Sequence, residues 1–260
     1  MKKEPLSVVI ITFNEEKNIE RCIRSVQSIA DEILVLDSFS KDRTQAIAEE
    51  LGARFETHAF DGHIQQKNRA WQMATHDWVL SIDADEAPDE VLQKSILEAL
   101  QRQAEREDKV DGYTMNRLTN YCGSWVRHSG WYPDTKMRLF QKGKGAWGGV
   151  NPHDKFELHA GGKSIHLKGD LLHYSYYSVE DHYQQIEYFS DIASKELHEM
   201  KKSISSLMIY LKVVAQFFKT YVLKLGVLDG GTGFTIARLS AYATFRKYRK
   251  LQLRNQGKYE

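Results

Sequence analysis

Three short polar segments of the chain carry side chains that can bind phosphate groups or a cation. They read TFNEE (12–16), LDSFSKDRT (36–44) and IDADE (82–86), and each one overlaps the end of an apolar run. Asp83 and Asp85 stand at a predicted strand end, where alternation directs both carboxylates to the same side. Such a pair suits Mg²⁺ or Mn²⁺, which are commonly shared between carboxylates and substrate phosphates. A solvated acidic loop that caps the next helix is the alternative.

The apolar runs before these segments predict strands that alternate with helices. The strands are predicted at 6–12, 32–37, 54–57 and 78–83. Asn14 and Asp42 are predicted helix caps, and Pro88 is predicted to begin the helix after the fourth strand. Alternation of this kind indicates βαβ units, and ligands of such sheets bind outside the carboxyl ends of the strands. We therefore predict an α/β fold with a mostly parallel central sheet flanked by helices.

The pattern changes after about residue 110, where strand-like segments are separated by loops rich in glycine and aromatic residues. Ser178 and Asp181 resemble a capping box that opens a long helix to about Lys202. Two further helical stretches follow, separated by the turn at 229–233. We predict one domain over residues 1–177, divided near residue 110, and a helical C-terminal extension over 178–260.

Composition describes a globular protein, with 42% hydrophobic residues in 260. The two cysteines, Cys22 and Cys122, are too few for a disulfide framework, which favours a reducing compartment. The apolar run near the N-terminus is too short for a signal peptide. We find no run of about 18 apolar residues, so we expect no membrane-spanning helix.

The first 100 residues resemble a known family in the order, spacing and strand placement of their motifs. The segments SVVIITFNEEKNIERCIRSV, EILVLDSFSKDRTQAIAEELGA and QQKNRAWQMATHDWVLSIDADE are similar to those of the family 2 inverting glycosyltransferases, which have the A-type (GT-A) fold. The resemblance implies a nucleotide-sugar-binding half over 1–110 and an acceptor half over 111–177. It implies that Thr12, Asn14, Glu15 and Asp37 contact the base and ribose, and that Asp83 and Asp85 hold ribose and metal. Glu86 stands where many members have aspartate.

Several polar side chains near these motifs fit the same ligand. Asp37 can accept the imide N–H of a pyrimidine, and Ser38 can contact sugar hydroxyls. The alternative for this loop is a helix-capping turn. Lys67 and Arg69 precede the fourth strand and, by the resemblance, face the diphosphate. A solvated helix face is the alternative for both side chains.

The second half resembles a narrower group, the bacterial transferases that pass glucose to an inner-core heptose of lipopolysaccharide. KMRLFQKG, GGVNPHDKF, LLHYSYYS and LGVLDGGTGFTIARLSAYATFRKY carry this resemblance. An inverting transferase needs a base for the acceptor hydroxyl, and Asp154 is the candidate. The group has glutamate here, so Asp154 is one methylene shorter, and Asn151-Pro152 is inserted before it. Glu157 and Asp134 are the other candidates for the base, and a surface pair of Asp154 with Lys155 is the structural alternative.

Other residues of this half are candidates for binding roles. His173 is a possible further metal ligand or diphosphate contact, although a histidine among aromatic residues also suits a packed structural position. Arg138 can pair with phosphate through two N–H groups. The aromatic residues that can stack on a sugar or pack in a core are Trp125, Trp131, Tyr132 and Trp147.

The C-terminal segment is basic, with 12 lysines and arginines against two acidic residues in 201–260. Apolar residues recur at helical spacing between Ile204 and Leu225, so an amphipathic, basic helix is predicted. Peripheral contact with an anionic membrane surface follows from this pattern. The alternatives are packing on the catalytic domain or on a second copy of the chain, as a homo-oligomer. No nucleic-acid-binding motif is present, so we expect no nucleic-acid partner.

We predict a metal-dependent inverting glycosyltransferase, cytoplasmic and peripheral at the inner face of the cytoplasmic membrane. By the resemblance it moves glucose from UDP-glucose to a glycolipid hydroxyl such as that of the lipopolysaccharide inner core. One alternative is a nucleotide-sugar-binding or scaffold protein without turnover. The other is a sugar nucleotidyltransferase, which would carry a glycine-rich basic loop where this chain has TFNEE.

Overall fold

The structure is a computed structural model that describes residues 3–105, 107, 110–150 and 153–259. The Asn151-Pro152 pair lies outside the described residues. The chain forms two compact units, Met1–Arg117 with Asp134–Tyr174, and Leu118–Pro133 with Ser175–Glu260. The domain division predicted at residue 177 stays a prediction.

Four parallel strands form the first part of the central sheet in the first unit. They are β1 (Leu6–Thr12), β2 (Glu32–Asp37), β3 (Arg54–Thr57) and β4 (Trp78–Asp83), in the order β3-β2-β1-β4. All four strand predictions are confirmed in type and bounds. The β-branched and aliphatic runs of β1, β2 and β4 are largely buried, as is typical of central parallel strands, whereas β3 at the sheet edge is exposed at both ends.

Helices follow each of these strands. They are α1 (Ile19–Val26), α2 (Thr44–Glu50), α3 (His63–Met73) and, after the short strand β5 (Glu86–Pro88), α4 (Glu90–Ala104). The predicted cap at Asn14 is wrong, because Asn14 has φ 54° and its side chain accepts from Lys41 N. Pro88 ends β5 and does not begin the helix, whose cap is the Asp89 side chain, which accepts from Leu92 N.

Antiparallel strands complete the sheet. They are β6 (Gly112–Tyr121), β7 (Ser124–Trp125), β8 (Asp134–Gln141) and β11 (Ser164–Tyr176), with β9 (Gly145–Val150) and β10 (His153–Leu158) forming a separate hairpin. The order continues from β4 as β8-β6-β11-β5, and β7 pairs with β6. The predicted α/β class is confirmed, with the parallel strands at one side of a mixed sheet and helices at the C-terminus.

The core of the first unit lies on both faces of the sheet. Val8 and Ile10 of β1 pack in the cluster that contains α1 and α4 side chains, whereas Val9 packs in the cluster with α3 and the β9–β10 hairpin. Cys22 is buried in the first cluster. Burial of each large aliphatic side chain contributes about 1.5–3 kcal/mol, so both layers stabilise the sheet edge that carries the polar segments.

The second unit is mainly helical. It contains α5 (Val179–Glu199), α6 (Ser206–Phe218), a π-helical turn (Lys219–Leu223), a 3₁₀ turn (Gly226–Asp229) and α7 (Gly230–Asn255). The predicted capping box of Ser178 and Asp181 is confirmed. The glycines at 230–233 do not separate two helices but begin α7. Gly233 is required there, because a Cβ would lie 1.8 Å from Gly226 O.

One helical stretch, Ser206–Leu223, is apolar and long enough to cross a membrane by length and composition alone. Its mean hydropathy is 1.2 over 18 residues, and 11% of it is buried. The stretch is not an unbroken apolar run, and the expectation that no helix spans a membrane stays a prediction. Lys212 and Lys219 interrupt the apolar sequence, but two charges leave the mean hydropathy of the stretch high.

Candidate active site at the sheet edge

The carboxyl ends of β1, β2 and β4 meet at one edge of the sheet. Thr12 is the register partner of Asp37, and Ile11 is the partner of Asp83. The strand order reverses between β1 and β4, and ligands of open α/β sheets bind at such a switch point. The three polar segments are therefore brought together, as their strand positions predict.

The loops after β1 and β2 are tied to each other by side-chain hydrogen bonds. Asn14 N donates to Ser40 Oγ (2.7 Å), and Lys41 N donates to Asn14 Oδ1 (2.8 Å). Glu15 N donates to Thr44 Oγ1 (2.8 Å). Asn14 and Phe39 have left-handed backbones, with φ of 54° and 63°. Positive φ in non-glycine residues is a strain that persists mainly where the surroundings fix the conformation.

Asp37 and its neighbours present polar groups at this edge. Asp37 accepts from the backbone N of Ser40 (2.7 Å), which forms a turn. This turn does not cap α2, which begins further along the chain and has no side-chain cap among the described residues. Ser38 Oγ accepts from Gln66 Nε2 (3.2 Å). Thr12 Oγ1 is buried and has no hydrogen-bond partner among the described residues. A buried hydroxyl without a partner is costly, which marks Thr12 as a group that a ligand can satisfy.

Glu15 faces the acidic cluster. Burial raises the pKa of its carboxyl, and the charges of Asp85, Asp42 and Asp83 raise it further, against a hydrogen bond from Asn18. Like charges and loss of water both disfavour the ionised form. A cation bound at this edge would relieve the same repulsion.

Asp83 is held by two buried cations. Lys67 Nζ lies 3.1 and 3.2 Å from its two carboxylate oxygens, and Arg138 Nη2 lies 3.0 Å from Oδ2. Burial opposes ionisation of this carboxyl, but Lys67 and Arg138 hold its pKa well below the usual range. Asp83 is therefore ionised, and its charge is already balanced by protein groups.

Asp85 has a different partner from Asp83. His173 Nε2 lies 3.2 Å from Asp85 Oδ2, and the two side chains are 15% and 24% exposed. His173 is placed there by pairing of β11 with β5, and Tyr174 N donates to Asp85 O (2.9 Å). Asp85 and His173 thus bring one carboxylate oxygen and one ring nitrogen close together at this edge.

A wider ion-pair network lies behind the acidic motif. Arg138 also reaches Glu86 Oε1 (2.7 Å), and Glu86 Oε2 accepts from Asp83 N (3.0 Å). Arg117 lies 3.5 Å from Glu86 and 2.8 Å from Asp134. Arg138 is 3% exposed and pairs with carboxylates in this structure. Its Nε and Nη1 have no acceptor among the described residues.

Asp154 lies on β10, directly across from the acidic motif. Its Oδ2 is 2.8 Å from Lys67 Nζ, so one ammonium joins Asp154 to Asp83. The carboxylate is 10% exposed. Lys155 pairs with Glu157 and not with Asp154, so the structural alternative from the sequence is wrong. Of the other base candidates, Glu157 is in that pair and Asp134 is held by Arg117 and Lys136.

The remaining predicted residues divide between the site and its surroundings. Arg69 pairs with Asp61 (2.9 Å) and has no contact with the acidic motif among the described interactions. Trp147 lies at the site, with Lys67 Nζ 4.6 Å and the Arg138 guanidinium 5.2 Å from its ring. The other three aromatic residues, Trp125, Trp131 and Tyr132, belong to the second unit.

Asn68 was missed by the sequence analysis although it contacts the hairpin that carries Asp154. Its amide donates to Trp147 O (2.9 Å) and accepts from Trp147 N (3.0 Å). The only local signal was its position between Lys67 and Arg69 on a predicted helix.

The donor set fits a hard cation that keeps water and phosphate ligands. The described residues contain no group of three or more His, Cys, Asp or Glu arranged for a metal ion. Asp85 and His173 would supply two ligands to Mg²⁺ or Mn²⁺, and diphosphate oxygens and water would complete the coordination.

Comparison with known proteins agrees with these features. The profile of glycosyl transferase family 2 matches residues 7–157. An uncharacterized glycosyltransferase of Rickettsia typhi is 30% identical over 97% of this chain and 87% of its own. The lipopolysaccharide core biosynthesis glycosyltransferase LpsC of Rhizobium meliloti is 25% identical over 95% of this chain and 94% of its own.

A solved structure, glucosyl-3-phosphoglycerate synthase of Mycobacterium tuberculosis with Mn²⁺ and UDP-glucose, matches 45% of this chain and 44% of its own. The TM-score is 0.37 and the sequence identity is 25%. The family profile covers more than half of the chain and includes every polar segment of the sheet edge. The chain is therefore a glycosyltransferase that belongs to glycosyl transferase family 2, as its motifs predicted.

Proposed function

We propose that this enzyme transfers a sugar, with inversion, from a nucleoside diphosphate to a hydroxyl of a glycolipid. The observation that carries the proposal is the joining of Asp154 to the Asp83-Ala84-Asp85 motif through Lys67, at the edge where donor ligands bind. One ammonium, that of Lys67, thus contacts both the proposed base and the acidic motif. A scaffold protein without turnover would have no need for this arrangement.

Each side chain has a defined role in the proposed reaction. The loops after β1 and β2 hold the base and ribose through Thr12, Asp37 and Ser38. Asp85 and His173 would hold Mg²⁺ or Mn²⁺, and such an ion would supply positive charge beside the departing diphosphate. Asp154 takes the proton of the acceptor hydroxyl as its oxygen forms the bond to the anomeric carbon and the bond to the diphosphate breaks.

Titration calorimetry with UDP, CDP and GDP, with and without Mn²⁺, tests the donor site. We expect UDP to bind most tightly, Mn²⁺ to strengthen binding, and Asp85→Asn to remove the Mn²⁺ effect. Asp77→Asn, at the opposite end of β4, is the matched control and should bind as the wild type does. Failure of every nucleotide to bind, or a Mn²⁺ effect that survives Asp85→Asn, would refute this assignment.

A second measurement tests the base. Asp154→Asn should keep donor affinity and lose about 10²–10⁴-fold in turnover, the usual contribution of a general base. Near-normal turnover would show that another group accepts the proton. The anomeric configuration of the product, read by NMR, tests inversion separately.

We further propose that the donor is UDP-glucose and that the acceptor is a glycolipid of the lipopolysaccharide core. Likeness to LpsC over nearly the whole chain supports an acceptor of the lipopolysaccharide core. UDP-glucose is supported by the resemblance to core glucosyltransferases. Assay of the purified enzyme with inner-core lipopolysaccharide and a set of UDP-sugars would decide both.

We also propose that the second unit contacts the inner face of the cytoplasmic membrane. Apolar side chains on α6 and the following turns are more than half exposed, among them Leu207, Leu211, Phe218, Leu223 and Leu228. Exposed lysines accompany them at 201, 202, 212, 219 and 224. Each lysine near an anionic leaflet contributes about 1 kcal/mol, so the charge and the apolar surface favour the same partner.

Flotation with vesicles of phosphatidylethanolamine and phosphatidylglycerol tests this contact. Replacing Leu207 and Leu211 by serine should abolish flotation, whereas Val91→Ser in the first unit, where Val91 is exposed to the same degree as Leu211, should not. If the wild type does not float but forms a dimer that the same substitutions dissociate, the surface is an interface between copies of the chain.

A further inference from the structure

The β9–β10 hairpin carries Asp154 but lies outside the hydrogen-bond ladder of the central sheet. Among the described residues its two strands pair only with each other. Phe156 of the hairpin stacks on Phe140 of β8, with ring centroids 3.6 Å apart. Such packing holds the hairpin against the sheet, but stacked rings do not fix where a carboxylate two residues away is directed. Polar contacts must set that position.

Asn68 of α3 binds the first strand of the hairpin. Its side-chain amide donates to Trp147 O at 2.9 Å and accepts from Trp147 N at 3.0 Å. These two bonds imitate one rung of a β-ladder. Trp71 Nε1 also donates to Asn68 Oδ1 (2.9 Å), which fixes the orientation of the amide.

Lys67, the preceding residue of α3, binds the second strand. Its Nζ lies 2.8 Å from Asp154 Oδ2 and 3.1 Å from Asp83 Oδ1, above the ring of Trp147. The Lys67 side chain is 4% exposed. A buried ammonium between two carboxylates holds both at defined positions, because leaving either charge unpaired is costly.

We propose that Lys67 and Asn68 are positioning residues that act through Asp154, by fixing the hairpin against the strand that carries the acidic motif. Asn68 sets the place of β9, and Lys67 sets the distance between Asp154 and Asp83. This inference rests on the proposed role of Asp154 as the base. It differs from a direct role of Lys67 in holding the diphosphate, in which the side chain would make its main contacts with the donor.

Asn68→Ala is the deciding variant, because it changes no charge. We expect hydrogen exchange across residues 145–158 to become about 10-fold faster, since two hydrogen bonds are lost. Turnover should fall by about 100-fold, the cost of a misplaced catalytic group, with donor affinity unchanged. Gln72→Ala, exposed on the same helix, is the control and should alter neither quantity. Unchanged exchange and turnover in Asn68→Ala would overturn the proposal.

A double-mutant cycle tests Lys67. Lys67→Met should lower turnover and leave donor affinity unchanged, Lys67→Arg should restore part of the turnover, and Lys67→Met should cost nothing further in an Asp154→Asn background. Additive losses, or a weaker donor affinity with normal turnover, would overturn the role. Near-normal turnover of Asp154→Asn would refute the base itself, while the exchange measurement still reports whether α3 holds the hairpin.

Discussion

Replacement of Arg138 by methionine should strongly destabilise the first unit, because two carboxylates would lose their shared cation. Arg138 Nη2 lies 2.7 Å from Glu86 Oε1 and 3.0 Å from Asp83 Oδ2. The Arg138 side chain is 3% exposed, and that of Glu86 is fully buried. Methionine keeps an unbranched side chain in the same place, so the main change is loss of charge.

The structure sets the size of this effect. Removal of one partner from a buried ion pair costs about 3–5 kcal/mol. In Arg138→Met, Asp83 still pairs with Lys67 at 3.1 Å, and Glu86 still lies 3.5 Å from Arg117. We therefore expect a loss at the lower end of this range. We expect the free energy of unfolding to fall by about 3 kcal/mol. At about 2–4 °C per kcal/mol, Tm should fall by about 6–12 °C.

Urea and thermal unfolding followed by circular dichroism measure the change. Lys136→Met is the matched control, because Lys136 lies on the same strand and pairs with Asp134 at 3.0 Å but is 33% exposed. Exposed pairs contribute about 0–1 kcal/mol, so this variant should unfold almost as the wild type does. Glu86→Gln added to Arg138→Met should recover part of the loss. Equal effects of Arg138→Met and Lys136→Met would refute the reasoning.

The pH dependence follows from the low pKa of Asp83, against burial, beside Lys67 and Arg138. A carboxyl with a depressed folded pKa stabilises the fold above its unfolded pKa of about 3.9 and loses that stabilisation as the pH falls further. The difference in free energy of unfolding between the wild type and Arg138→Met should therefore be constant near neutral pH. This difference should become smaller below about pH 4.

Substitutions at three other positions test separate features by urea unfolding. Phe39 has φ 63°, so Phe39→Gly should be about 1 kcal/mol more stable than Phe39→Ala, and equal stability would contradict the strained backbone. The Asp229 carboxylate accepts hydrogen bonds from the backbone N–H groups of Arg127 and His128 and from Ser129 Oγ (2.9 Å). Asp229→Ala should therefore lower the free energy of unfolding by about 3 kcal/mol, and Asp229→Asn should lower it less. Burial lowers the pKa of His182 to about 4. Stability should therefore fall by at most about 3 kcal/mol as the pH drops from about 6.5 to 4, because the unfolded state binds the proton first. His182→Phe should remove that slope, and a slope unchanged in the variant would assign it to other groups.

Local sequence predicted the elements of the parallel sheet because β1, β2 and β4 are short, continuous apolar runs that alternate with helical patterns. The polar segments 12–16, 36–44 and 82–86 could be placed at one edge for the same reason, since parallel strands share their carboxyl ends. Helix starts were harder. Asn14 has the chemistry of a cap, but the long-range bond with Lys41 uses its side chain instead.

The partners within the site could not be predicted, because they join segments far apart in the sequence. Lys67 and Asp154 are 87 residues apart. The sequence of α3 shows a basic, amide-rich helix face that is equally suited to solvent. Only the packing of the hairpin reveals that Lys67 is buried and that Asn68 replaces a strand neighbour. The helical spacing of apolar residues predicted the apolar surface of α6. The search for an unbroken apolar run did not identify Ser206–Leu223 as long and apolar enough to cross a membrane.

The ties between the loops after β1 and β2 have a consequence for enzyme redesign. Asn14 depends on Ser40 and Lys41, and Glu15 depends on Thr44, so neither loop keeps its shape without the other. A chimera that imports one loop from a relative with a different nucleotide preference would lose bonds on both sides. Residues 13–16 and 38–44 are therefore a single exchangeable cassette, and inherited changes in one loop should be accompanied by changes in the other.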